Sequence, residues 1–157
     1  MKKANMFAKS KKGGFTLIEI LVVIGIIALL ATIVIIAINP ARQFAQARNT
    51  QRESNINTIL NAIGQNIADN KGVFTCGSVT LNAGTASSSI DNGAGAGKDL
   101  SCLTPTYVPT LASDPTAPVG IPTGYFVSVD SVGRVLICAP NGAEAAIVGS
   151  GPLCVKR

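Results

Sequence analysis

The sequence predicts an α+β protein: a long N-terminal helix, transmembrane in its first half, packed against a small antiparallel β-sheet head. Three observations predict it. An almost wholly apolar run fills residues 15–38, a polar helix-compatible stretch continues to residue 69, and beyond Gly72 short β-prone runs alternate with turn residues. At 157 residues the chain has room for one compact core plus a membrane segment, and not for two full-sized cores. Four segments follow: 1–14 a leader, 15–38 a membrane helix, 39–71 its amphipathic exported half, and 72–157 a globular head.

Residues 1–14 are short, polar and basic and end in Gly13-Gly14. Lys2, Lys3, Lys9, Lys11 and Lys12 account for five of the 13 basic residues and have no acid among them. The other eight balance the 8 acidic residues, so the net charge of +5 belongs to the leader. A basic nucleic-acid surface is therefore not indicated. A lysine-rich flank beside an apolar span places the N-terminus in the cytoplasm and everything after the span outside.

The run FTLIEILVVIGIIALLATIVIIAI carries a single charge, Glu19. As a helix it is about 36 Å long, enough for a hydrocarbon core of about 30 Å. An ordinary secretory signal has a shorter apolar region without a carboxylate. The small-x-small pattern of Ala28-Leu29-Leu30-Ala31 lies inside the run rather than after it. Gly25 reads either as a weak point of the helix or as a place for close helix packing, with packing preferred.

Asn39-Pro40 interrupts the helix, because proline lacks the N–H that an unbroken helix requires. Asn39 suits a cap and Pro40 the first position of a second helical piece. Within that piece Ile56, Ile59, Leu60, Ile63 and Ile67 fall at the spacings of one helical face. Asn70-Lys71-Gly72 supplies the stop.

In the head, 125–129 and 134–138 read as strands joined by the turn Asp130-Ser131-Val132-Gly133. Residues 73–76 and 79–81 are weaker strand candidates, and 145–148 a further one. The Gly/Ala/Ser-rich stretch 82–98 reads as a loop without core residues, and 104–124 as a proline-punctuated connector. Tyr107, Tyr125 and Phe126 read as packing residues.

Cys76, Cys102, Cys138 and Cys154 all lie in the exported portion, where an even count favours two disulfides. Three pairings are open; Cys76–Cys102 with Cys138–Cys154 is preferred because each closes a local loop. The chain contains no histidine and no paired CxxC, which disfavours zinc. Gly93-Ala94-Gly95-Ala96-Gly97-Lys98 lacks the Ser or Thr and the preceding buried strand of a phosphate loop. Asp91, Asp99, Asp114 and Asp130 lack calcium-loop spacing, and Asp114-Pro115, near Thr110 and Ser113, reads as a turn. No nucleophile has a histidine base, and no carboxylates pair at a recognisable spacing. The expectation is a non-enzyme without metal or cofactor.

Glu19 is the most informative residue. A carboxylate inside a membrane segment costs a few kcal/mol, on the order of 3, so it marks a function. Cleavage after Gly14 would leave a cationic amine on Phe15, four residues before Glu19 and on the same helical face. Pairing between chains would set the stagger of neighbouring subunits. Pairing within one chain would only lower the cost of burial.

Gly14-Phe15-Thr16-Leu17-Ile18-Glu19, behind a lysine-rich leader and before an apolar stretch, resembles the class III signal of type IV pilins and type II secretion pseudopilins. The resemblance is strong over residues 9–38; NPARQFAQARNTQRES, YVPTLASDP and GYFVSVDSVGRVLICAP are similar to the rest of a bacterial pilin. It implies a pilin-like fold, cleavage between Gly14 and Phe15 by prepilin peptidase, N-methylation of Phe15, and contact of Glu19 with the Phe15 amine of an adjacent subunit. The implied partners are that peptidase, identical or related pilin subunits, an inner-membrane assembly platform and the lipid bilayer before assembly. The implied location is the inner membrane, single-pass, then an extracellular filament. In many relatives a proline sits where this chain has Ile36, four residues before Pro40. A membrane-anchored adhesion or DNA-uptake module is the alternative of a different class.

Overall fold

The computed structural model describes residues 13–93, 95–117 and 123–157. The lysines of the leader, with Ala94 and the 118–122 part of the connector, lie outside the described residues. The chain divides into two compact units, Met1–Pro40 and Ala41–Arg157.

The first unit contains α1 (Leu17–Ile38). Its 22 residues average a hydropathy of 3.3, and none of them is buried. Leu, Ile, Val and Ala occur around its whole circumference, so it has no polar face to turn toward water. Thr32, a polar residue within it, donates its hydroxyl to the Ala28 carbonyl at 2.9 Å. The helix ends at Asn39, whose left-handed conformation (φ 47°, ψ 80°) stops the ladder. The interruption expected at Asn39-Pro40 is a restart: Pro40 cannot donate to the preceding turn and opens α2 (Pro40–Asp69).

The second unit is built on α2 and five strands: β1 (Ser88–Asp91), β2 (Lys98–Asp99), β3 (Phe126–Val129), β4 (Val135–Ala139) and β5 (Leu153–Lys156). Their order in the sheet is β2-β1-β3-β4-β5. Three neighbouring pairs are antiparallel, but β1 and β2 run parallel, which makes the sheet mixed where a wholly antiparallel one was expected. The β3–β4 hairpin turns at Asp130–Gly133; Gly133 has φ 88° and donates its N–H to the Asp130 carbonyl at 3.1 Å.

Ile56, Ile59, Leu60 and Ile63 of α2 are buried in one core with Val127 and Val129 of β3 and Val135, Ile137 and Ala139 of β4. The strand residues alternate in and out, as a sheet with one covered face demands. Ile67 packs at the margin of this core. Past Asp69 the chain turns at Gly72, which donates to the Ile67 carbonyl at 2.8 Å and has φ 88°.

Several local expectations are corrected. Residues 73–76 and 79–81 form no strand; Cys76 and Val79 make one isolated bridge. Residues 145–148 are turns, and the strand beside β4 is β5. The stretch 82–98 is not without core residues, since Ile90 and Asp91 are buried in β1. Its small residues concealed a strand: Ser88 and Ser89 pair with Val127 and Phe126, and backbone bonding supplies what side-chain propensity does not. The connector also contributes Val108 to the core and places Asp114 out of solvent.

Candidate functional site

The site singled out by the sequence is the start of α1. Gly13, Gly14 and Phe15 are exposed and non-helical, which leaves the Gly14–Phe15 peptide bond outside the helix and shortly before it. Thr16 is the N-cap in an extended conformation (φ −84°, ψ 153°). Its hydroxyl accepts the Glu19 N–H at 3.3 Å, while the Glu19 carboxylate accepts the Thr16 N–H and hydroxyl, each at 3.2 Å. This reciprocal capping box satisfies two donors that a helix start leaves open. Thr16-x-x-Glu19 is its sequence signature, legible in the sequence though eclipsed by the interest of the acid itself.

The cap sets where the charge lies. Glu19 Oε2 is drawn back over the first turn, toward Phe15, rather than out along the apolar helix. Negative charge at a helix N-terminus is favoured by the aligned peptide dipoles. Gly13, Gly14, Phe15 and Glu19 line a shallow cleft of about 250 Å³. In the unprocessed chain the Phe15 nitrogen is a peptide amide; cleavage would convert it into the cationic group nearest the carboxylate in sequence.

A second charged constellation lies in the Ala41–Arg157 unit and was not found by sequence reasoning. Arg52, fully buried, donates through Nε to Asp114 Oδ2 at 2.7 Å and through a terminal nitrogen to Asp114 Oδ1 at 3.2 Å. Its other nitrogen reaches Glu144 Oε1 at 2.6 Å and Asn49 Oδ1 at 2.8 Å. Arg48, one turn earlier, holds Glu144 in a two-pronged contact at 2.8 and 2.7 Å. Asn55, one turn later, donates to the Ser113 carbonyl at 3.3 Å and the Tyr125 hydroxyl at 2.8 Å.

One polar stripe of α2 therefore fastens two loops, Ser113–Thr116 and Gly142–Glu144. The Arg48 and then the Arg52 hydrogen bonds hold the Glu144 carboxyl at about 2 against an ordinary 4.5. At Asp114 burial works to raise the pKa, but the Arg52 and Thr116 hydrogen bonds outweigh it and the net shift is downward. The i, i+4 pair Arg48 and Arg52 was visible in the sequence. Its partners lie 62 to 96 residues away, beyond the reach of spacing arguments.

The cysteines form two disulfides, Cys76–Cys102 and Cys138–Cys154. The first joins the segment after α2 to the short 3₁₀ turn at Ser101–Leu103; the second links register partners on β4 and β5. Asp130 is paired with Arg134 at 2.8 Å in the hairpin. Among the described residues, no group of three or more His, Cys, Asp or Glu is placed to hold a metal ion. The Asp114 turn does form, with its carboxylate accepting the Thr116 N–H at 2.7 Å, and it serves as an anchor for Arg52 as well.

Residues 9–35 match the prokaryotic N-terminal methylation motif, the class III signal of type IV pilins and pseudopilins. No curated protein and no solved structure matches the chain. The motif supports a pilin-like or pseudopilin-like start of the chain of the kind that prepilin peptidase processes, and with α1 it suggests membrane anchoring. The α+β architecture, a long apolar N-terminal helix with a small mixed sheet, fits a pilin.

Proposed function

We propose that the chain is the structural subunit of a type IV pilus-like filament, cut between Gly14 and Phe15, N-methylated on Phe15, and polymerised through α1. The observation that carries this reading is Glu19. It is the single charge of an apolar helix with no buried residue, and it is held at the helix start, four positions after the residue that cleavage would expose. Capping accounts for an acid at a helix start, but burying its charge in apolar surroundings is costly without a counter-charge.

In the membrane, α1 is solvated by lipid. In a filament it is solvated by the α1 helices of other copies, so extraction preserves apolar burial while a carboxylate–ammonium contact between copies fixes their stagger. In low dielectric the two charges attract more strongly than at a surface, and their pairing offsets the desolvation each would meet alone. The orientation is N-terminus inward in the inner membrane, followed by assembly on an inner-membrane platform into an extracellular polymer. The role is structural and not catalytic. A secretion pseudopilus subunit carries the same signal and differs in the machine it serves.

Intact-mass and N-terminal analysis of the exported protein tests the processing step: the expected start is a methylated Phe15, and a start near Ala31 or Asn39 would refute it. Glu19→Ala is expected to be processed normally and to yield few or no filaments by electron microscopy. Wild-type filament yield from that variant would remove the carboxylate from the scheme.

A further inference from the structure

The chain contains two Asn-Gly dipeptides, Asn92-Gly93 and Asn141-Gly142. In such a pair the glycine nitrogen can attack the asparagine side-chain carbonyl carbon. A C–N bond forms, ammonia leaves, and the product is a five-membered succinimide. Water then opens either carbonyl, to give aspartate or an isoaspartate with the side-chain methylene inserted into the main chain. The sequence requires only that the following residue not obstruct ring closure, which glycine satisfies.

The structure treats the two pairs oppositely. Asn141 donates its amide toward Asp114 Oδ1 at 3.5 Å and the Thr116 carbonyl at 3.4 Å. Gly142 is buried; its carbonyl accepts the Asn49 amide at 3.1 Å, and a side chain there would meet Leu153. Ring closure at 141 would have to break those contacts and move the backbone of Gly142, which is packed against Leu153 and held by the Asn49 amide. Asn92 and Gly93 are both exposed, and among the described residues none hydrogen-bonds the Asn92 side chain.

We propose that Asn92 is a site of spontaneous deamidation in the folded protein, and that Asn141 is protected from it. The consequence follows from the topology. β1 and β2 are parallel yet joined by only the six residues 92–97, where parallel strands ordinarily need a crossover of a dozen or more. Asp91 and Asp99 are register partners, Asp91 is buried, and its carboxylate takes the Gly97 N–H at 3.4 Å. Gly97 is seated so closely on Ser89 that a Cβ would overlap it. An added carboxylate beside Asp91, and an added main-chain carbon in so short a connection, loosen the β2 edge of the sheet. The modification thus marks old molecules with one extra negative charge and a less protected β2.

The test uses the full chain in detergent, aged in warm neutral buffer, then mapped by peptide mass spectrometry with isoaspartyl methyltransferase labelling. The expected result is loss of the amide at Asn92 with label on that peptide, while Asn141 stays intact until the chain is reduced and denatured, when both convert. Hydrogen exchange at Lys98 and Asp99 is expected to rise in aged wild type and not in aged Asn92→Gln, whose longer side chain closes the ring poorly. An intact Asn92 after ageing, or conversion of Asn141 at the same rate in the folded chain, would overturn the proposal. Unchanged exchange in a fully converted sample would overturn the loosened edge.

Discussion

The two units satisfy their charged groups in different ways. In the Met1–Pro40 unit the partner of the Glu19 carboxylate among the described residues is local, Thr16 three residues away, and every apolar side chain of α1 is exposed. In the Ala41–Arg157 unit each carboxylate of the stripe is matched to a guanidinium brought from far along the chain, and the apolar face of α2 is covered. The second unit is complete in itself. The first holds exposed apolar surface and an acid with no basic partner among the described residues, and such a surface marks a membrane or an assembly site.

The contrast breaks first at Arg52. Removing one partner of a buried ion pair leaves the other charge stranded, a cost of about 3 to 5 kcal/mol. Arg52→Ala is expected to destabilise the second unit by that amount in denaturant melts, stranding Asp114, which is fully buried, and freeing the Ser113–Thr116 loop. A loss below about 1 kcal/mol, the scale of an exposed pair, would mean that the stripe is an ornament of the surface.

A matched pair of substitutions sharpens the comparison further. Ile59 is 1% exposed and Ile26 54% exposed, although both are isoleucines within helices. Ile59→Ala is expected to cost about 2 to 5 kcal/mol through lost burial and the cavity left behind. Ile26→Ala is expected to leave the melting of the second unit unchanged, its effect falling on filament yield. A fall in head stability from Ile26→Ala would show that the two regions do not divide the work in this way.

What could be read in advance follows the same line. The features of α1 are local: hydropathy and one acid sit within adjacent residues, and the Thr16-x-x-Glu19 cap, which was not singled out from the sequence, is written there on the same terms. The apolar face from Ile56 to Ile63 was legible because helical burial repeats at short range. The turn at Gly133 was legible because glycine there meets a positive φ. By contrast β1 is made of Ser88, Ser89, Ile90 and Asp91, whose place in the sheet is fixed by β3, and its parallel neighbour β2 is two residues long. Arg52, Asp114 and Glu144 looked like ordinary surface residues because their meeting is a property of the fold and not of any window of sequence.

The smallest expected effect isolates Glu144 by pH. Its carboxyl is held at about 2 rather than 4.5 by Arg48 and Arg52, so the folded state binds the proton less readily than the unfolded chain does. The resulting stabilisation is fully present above pH 4.5 and disappears as the pH falls from there toward 2. Asp114 and Asp130, whose carboxyls are also depressed, add to the same acid-side loss. Glu144→Gln keeps the shape but cannot titrate, so its stability is expected to start lower at neutral pH and fall less steeply on acidification than wild type. Equal slopes in parallel acid melts would show that Glu144 ionises alike in folded and unfolded chains, and that Arg48 and Arg52 hold it by geometry alone.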